Sequence, residues 1–484
     1  MSTLGASAAR GTLWLGLVNL ISKGSQMAVT VVLAAFLTET ELGLVTLAVS
    51  LANIGQVVQS MGVYDVITRT RRDPDAMAGT IFTASVAIGL VLAVVGVLGA
   101  DVIAALLGAP AAAPLIVLTA LSLPFTAAGG VQMGVMHRTL DFKRRMLPDA
   151  GSAVAGAAVT VVLAGSGVGE YSLAVGVLCT AVLQPFLGVL VGVRIRPRWD
   201  SAAAAEAGSW IAVVGPAAVV AILLINVHYP ILARSLGADA VGLYSLAFRI
   251  AWVPYIMIAV VLGAVAFPVY TRLKQVNAGM SAAVGMFTHL LLVIVGGCYL
   301  VAVLLADHIV VLGQRWAPAV PVLMLLCAWG LALCVLQTWY EAIRAADKPK
   351  WYLALQATHL VLLAVGLSIA APFGLVPAAI AQASAAIVLL PVAWFALRGA
   401  GVAPPVSVMA RSLLGPAAGA LGCLAVSRGA AAIGLLDDPS SLPVALGLGV
   451  ALLATYAGVV SLVDRAAVAH MRGLLRNRSE SVAE

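Results

Sequence analysis

Asn19, Lys23, Gln26 and Thr30 stand 4, 3 and 4 residues apart within an apolar run from Gly11 to Leu37. On a helix this spacing puts all four on one face, and a rise of about 1.5 Å per residue sets Lys23 near the middle of a bilayer. A lysine at that depth costs about 3 kcal/mol on insertion scales, so it needs a partner or a wet cavity. The next run carries a second polar stripe, Asn53, Gln56, Gln59 and Ser60. Farther on, Asn226 and His228 lie toward one end of an apolar run, and Arg249 shares a helix face with Trp252 in the run after it.

These residue types bind rather than react. Intramembrane acids are scarce: Asp65 and Glu341 lie at the ends of their runs, about three helical turns from the depth of Lys23 and Arg249. A structural ion pair is one reading of Lys23. The other is an excess of positive charge in a cavity, whose complement is an anionic ligand. For Asn19, Gln26, Asn53, Gln56 and Gln59 taken singly, hydrogen bonding between helices is an equal alternative to ligand contact. His289 and His359 read as packed or interfacial residues, with proton coupling left open. Asp73 and Asp75 in RRDPDA have the spacing of a metal-binding pair, but beside three arginines in a short loop they read as a solvated turn. No GxxxxGK[ST] phosphate loop is present. No cofactor, metal or nucleic-acid partner is expected.

The elements that position these residues follow from composition. Of 484 residues, 62% are hydrophobic and only 10% charged, against about 25% charged in a soluble chain. Lipid is the solvent for most of such a chain, which makes it an all-α polytopic membrane protein. Fourteen apolar helices are predicted, near 11 to 36, 43 to 67, 78 to 99, 113 to 136, 147 to 167, 172 to 194 and 208 to 234. The remaining seven fall near 242 to 268, 281 to 305, 317 to 341, 351 to 371, 374 to 397, 406 to 427 and 441 to 463. The longest loop is too short for a nucleotide-sugar domain, which argues against a glycosyltransferase or polymerase. Cys179, Cys298, Cys327, Cys334 and Cys423 all fall inside apolar runs without a CxxC pair and read as packing residues.

With both termini placed in the cytoplasm, twenty-two of the 27 basic residues fall on inner segments and three, Arg234, Arg315 and Arg428, on outer ones. That asymmetry is the positive-inside signature. The clusters RTRR, KRR and RIRPR are what topology alone requires, with Arg69 and Arg138 as candidates for capturing a phosphorylated lipid headgroup at the inner surface.

The chain also echoes itself. LAAFLTETELGLVTLA from Leu33 aligns with LARSLGADAVGLYSLA from Leu232 at an offset of 199, pairing Gly43 with Gly242 and Leu47 with Leu246. At an offset of 206, Asp101 falls on Asp307 and Arg138 on Arg344. Six helices per unit, an even number, give two parallel repeats with an axis along the membrane normal. The expected organisation is an N-terminal lobe over 1–199, a C-terminal lobe over 200–400, and two further helices with a tail over 401–484.

FLTETELGLVTLAVSLANIGQVVQSMGVYDVITRTRR, MHRTLDFKRRMLPDAGSAVAGAAVTVVLAGSGVGEYSLA and ARSLGADAVGLYSLAFRIAWVPYIMIAVVLGAVAFPVYTRL together resemble the bacterial oligosaccharide flippases of the multidrug/oligosaccharidyl-lipid/polysaccharide transporter superfamily. The resemblance is to the lipopolysaccharide and exopolysaccharide branch. It implies a V-shaped pair of six-helix lobes around a cationic cavity, with alternating access in a bacterial plasma membrane. It implies movement of a polyprenyl-(pyro)phosphate-linked oligosaccharide from the inner to the outer leaflet, with Lys23 and Arg249 as the charged cavity positions. Membrane lipids, a coupling proton or sodium ion, and a polysaccharide polymerase with its export machinery are the partners it implies. The thirteenth and fourteenth helices would offer a groove for the lipid tail, weakened by the break at Gly415 and Pro416. A cation-coupled multidrug antiporter of the same superfamily is the nearest rival, and such proteins commonly place acids in the membrane interior, where the first helix has none. A non-transporting scaffold would give no reason for a lone central lysine.

Overall fold

The computed structural model describes residues 25, 29–30, 32–276, 278–436 and 438–464, with the backbone alone at Tyr64. Among them all regular structure is helical, and thirteen runs are long and apolar enough to cross a bilayer. They are α1 Glu39–Arg69, α2 Pro74–Leu98, α3 Pro110–Arg138, α4 Phe142–Gly165, α5 Tyr171–Leu190, α6 Ser201–Leu236 and α7 Ala238–Gln275. Then come α8 Met280–Leu304, α9 Gln314–Ala345, α10 Pro349–Phe373, α11 Leu375–Gly399, α12 Val406–Ala432 and α13 Leu442–Val463. Each overlaps one of the second to fourteenth predicted helices; most of the first lies outside the described residues.

Local sequence explains where these runs begin and break. Thr38 Oγ1 accepts from the Glu41 backbone N–H at 3.3 Å while Glu41 Oε2 accepts from the Thr38 N–H at 2.8 Å. This reciprocal cap starts α1. The same run breaks after Ser60, because Gly62 turns the chain at φ +69° before Val63–Arg69 resumes the helix, a backbone conformation that favours glycine. Asp200 caps α6 by accepting from the N–H groups of Ala202 and Ala203 at 2.9 and 3.3 Å. Pro254 has no N–H to donate, and the helix widens to π over Tyr255–Ala259 directly after it.

The chain packs as two compact units, Met1–Ser245 and Leu246–Glu484. In the first, small residues let helix backbones approach, the usual solution where lipid gives no hydrophobic drive to association. Gly156 of α4 faces Thr180 of α5, and Gly176 of α5 faces Thr160 of α4. The α3–α5 seam repeats the device with side-chain amides: Gln132 lies against Gly188, Gln184 against Gly129, and Gln132 Nε2 donates to the carbonyl of Val193 at 3.2 Å. Thr46 Oγ1 of α1 approaches Ser245 Oγ of α7 at 3.4 Å.

In the second unit α9 is the central helix, with Leu326, Cys327, Trp329, Leu333 and Leu336 buried along its length. The last two helices dock on α8 through Tyr456. Its ring lies over Gly297 of α8 and Gly419 of α12, and its hydroxyl donates to the Val293 carbonyl at 2.9 Å. At the end of α13, Asp464 Oδ2 sits 3.0 Å from His289 Nε2 of α8. The final two helices are thus part of the second unit's core, with Cys423, Leu448 and Leu452 completing the apolar contact.

Candidate functional site

Asn19, Lys23 and Gln26 lie outside the described residues. Thr30, the last of that stripe, is buried. On α1, Asn53 and Gln56 are half-buried, and among the described residues their side chains make no hydrogen bond. Gln59 is buried and donates from Nε2 to Thr126 Oγ1 of α3 at 2.8 Å, so this part of the stripe joins two helices of one unit.

Asn226 and His228 sit in packed interior at the turn within α6. Asn226 donates from Nδ2 to the Ile222 carbonyl of its own helix at 3.0 Å. The His228 ring is fully buried against Tyr229 and Tyr244, with centroids 4.1 and 5.4 Å away.

Arg249 is half-buried on α7 in the second unit. Trp252, one turn on, stacks on Phe248 at 5.4 Å and on Trp329 of α9 at 5.6 Å, with interplanar angles of 18° and 16°. Tyr255 lies 4.4 Å from Trp252, aimed by the π turn. Its hydroxyl donates to Gln337 Oε1 at 3.3 Å, and Gln337 Nε2 donates to Glu341 Oε1 at 3.0 Å. Arg344 Nη1 then reaches both Glu341 oxygens, at 3.2 and 2.9 Å. The Arg344 guanidinium also lies 5.0 Å from the Phe267 ring and 5.5 Å from that of Tyr352.

A cleft of about 310 Å³ opens beside this chain of contacts, lined by Gly263, Ala264 and Phe267 of α7 and by Gln337, Glu341 and Arg344 of α9. In the sequence Glu341 reads as a carboxylate at the end of its run, and Arg344 as the repeat partner of Arg138. The available signal was the 4 and 3 spacing of Gln337, Glu341 and Arg344, which gives them one helix face.

The two arginines proposed for headgroup capture have protein partners. The exposed Arg69 lies over the Trp210 ring of α6 at 4.7 Å. Arg138 donates from Nη1 to the carbonyls of Ile67 and Thr70, the latter at 3.3 Å, satisfying the open end of α1. Asp73 caps α2, accepting from the N–H groups of Asp75 and Ala76 at 3.2 and 3.3 Å, as a solvated turn does.

A profile for a family described as polysaccharide biosynthesis proteins matches residues 32–321. The chain belongs to that family. It is 24% identical over 329 residues to the lipopolysaccharide biosynthesis protein WzxC of Escherichia coli (strain K12), covering 66% of each chain. It is 25% identical over 320 residues to the succinoglycan biosynthesis transport protein ExoT of Rhizobium meliloti (strain 1021), covering 63% of this chain and 62% of that one. The matched stretch thus spans just under two thirds of these curated relatives. Among solved structures, the fold is similar to the lipid II flippase MurJ in an inward closed conformation, with a TM-score of 0.76 and 12% identity over 93% of this chain and 98% of that one. An inward-facing multidrug resistance MATE transporter of the MOP superfamily matches with a TM-score of 0.62 and 15% identity, over 80% of this chain and 99% of that one. This member of the polysaccharide biosynthesis family therefore shares the all-helical fold of MurJ and the MATE transporter.

Proposed function

We propose that this protein is a flippase that moves a polyprenyl-(pyro)phosphate-linked oligosaccharide from the inner to the outer leaflet by alternating access, without covalent chemistry. The observation that carries the reading is the family match over residues 32–321, together with relatives whose names describe lipopolysaccharide biosynthesis and succinoglycan transport. Lipid-embedded helices bearing interior polar groups supply the physical means: a polar headgroup crosses only where protein replaces water.

In this reading two parallel six-helix lobes, 1–199 and 200–400, rock about the substrate, and 401–484 adds the last helices and a cytoplasmic tail. Both termini face the cytoplasm of a bacterial plasma membrane, the orientation supported by the distribution of lysine and arginine. Lys23 and Arg249 meet the diphosphate, with Asn19, Gln26, Asn53 and Gln56 facing the sugars. Asn226 and His228 support the outer end, and Arg69 and Arg138 the inner entrance. A net negative headgroup moving outward gains about 2.3 kcal/mol per charge per 100 mV from an inside-negative potential, and proton or sodium coupling would add to it. Polymerase and export machinery would receive the product.

The MATE likeness keeps a cation-coupled drug antiporter as the second reading, and the polysaccharide family match favours the flippase. The separating experiment removes the chain from its cell. A flippase leaves completed lipid-linked oligosaccharide on the inner leaflet and stops polymer export; an antiporter leaves export intact and alters cation-dependent drug efflux.

A further inference from the structure

The cleft in the second unit has a composition that neither lipid contact nor a diphosphate explains. One side is formed by Gly263, Ala264 and Phe267, and the other carries an amide, a carboxylate and a guanidinium at successive turns of α9. Behind this lining the hydroxyl of Tyr255 holds the Gln337 amide, and the Tyr255 ring lies against Trp252.

Arg344 spends one nitrogen, Nη1, on both oxygens of Glu341. Among the described residues its Nε and Nη2 make no hydrogen bond, and its side chain is 42% exposed. Glu341, by contrast, is nine-tenths covered. A diphosphate approaching Arg344 would meet that carboxylate at close range, and like charges in a partly desolvated site repel strongly. An acyl or prenyl chain would leave the Nε and Nη2 donors of Arg344 unmatched, which costs free energy wherever water is displaced.

A pyranose ring fits both halves. Its C–H faces pack on aromatic and aliphatic surface, and its rim of hydroxyls gives and accepts hydrogen bonds. Toward such hydroxyls Arg344 keeps Nε and Nη2 as donors, Gln337 Nε2 keeps its second hydrogen, and Glu341 Oε2 keeps a second lone pair. The volume, about 310 Å³, lies at the small end of ligand sites, which are about 300–1,000 Å³. That is room for a sugar residue rather than a whole glycolipid.

We infer that the cleft between Phe267 and the Gln337, Glu341 and Arg344 face of α9 is a carbohydrate subsite: it holds a hydroxyl-bearing ring of the transported oligosaccharide, while the diphosphate binds elsewhere. This rests on the flippase reading and assigns the sugar moiety to named residues of the second unit.

The test is photocrosslinking in cells exporting their native polymer, with p-benzoylphenylalanine replacing Ala264 in the full chain, and Phe267 in a second variant that swaps one aromatic ring for another. After irradiation the purified protein is probed for periodate-oxidised carbohydrate before and after mild acid, which cleaves the bond between sugar and diphosphate. A ring seated in the cleft leaves carbohydrate that survives acid. Carbohydrate that acid removes means the carrier lies there and overturns the subsite, as does irradiated, correctly inserted protein without carbohydrate. In the same background, Glu341→Gln and Gln337→Leu should each lower the acid-resistant signal about tenfold, the scale of one lost hydrogen bond; an unchanged signal also overturns it. Cells lacking the chain serve as the separate check: if they still export polymer, the flippase reading fails, independently of where the label falls.

Discussion

Gly43 and Gly242, 199 positions apart, press into one another's helices: a Cβ on Gly43 would fall on the Ala238 carbonyl oxygen, and a Cβ on Gly242 on that of Glu39. Each carbonyl lies four residues before the opposite glycine, so the contact is locally two-fold. Thr40 Oγ1 donates to Asp239 Oδ1 at 2.5 Å in the same register. The neighbour met is backbone, which a rotamer change cannot move aside. Gly43→Ala and Gly242→Ala should therefore each destabilise the protein by about 1–3 kcal/mol. The double variant should cost less than their sum, because the first methyl already separates the helices. Thermal unfolding in detergent measures both, and an unchanged midpoint for Gly43→Ala would remove the close contact.

Tyr456 holds the last two helices to α8 by a ring in a glycine notch and a hydroxyl on the Val293 carbonyl. Tyr456→Phe keeps the ring and loses one hydrogen bond, at about 1 kcal/mol. Tyr456→Ala empties the notch and should cost about 3–5 kcal/mol. Limited proteolysis between α12 and α13 distinguishes the two: the alanine variant should be cut readily and the phenylalanine variant should resemble the parent. Equal resistance in both would mean that the surrounding aliphatic cluster holds these helices unaided.

The course of the helices was legible because a bilayer imposes one solution on any apolar run of sufficient length, and because inner loops accumulate arginine. The interior roles of polar groups were less legible. Asn226 bonded to Ile222 and Gln59 bonded to Thr126 carry the same sequence signal as a side chain that meets a ligand, namely a polar residue that avoids lipid. Arg344 was hidden for a different reason: a basic residue at the end of an apolar helix is ordinary in a membrane protein, so its hold on Glu341 beside a cleft adds no anomaly to the sequence. Trp252 was noted only as a neighbour of Arg249; its stack on Trp329 depends on α9, some eighty residues farther along the chain.

Asp73 separates a capping role from a metal role. Asparagine accepts at a helix N-cap as well as aspartate does, whereas alanine cannot, so Asp73→Asn should leave stability near the parent and Asp73→Ala should cost about 1 kcal/mol. Polymer export should be unaffected by the asparagine variant. Loss of export with Asp73→Asn, restored by added divalent cation, would instead assign Asp73 and Asp75 to a metal.

Lys23 and Arg249 test whether charge or packing serves transport. As the mid-depth charge of the proposed cavity, Lys23 would meet the diphosphate where lipid solvates charge worst, so Lys23→Ala should abolish export while the protein still inserts at normal abundance. Arg249→Gln removes one charge and keeps much of the polar volume; Arg249→Glu reverses the charge and adds repulsion toward the same ligand. Export should therefore fall in the order parent, glutamine, glutamate, and lipid-linked oligosaccharide on the inner leaflet should rise in that order. If the two Arg249 variants are equally impaired, size and hydrogen bonding beside the Phe248–Trp252 stack set the requirement, because a purely electrostatic role cannot give equal penalties to neutralisation and reversal.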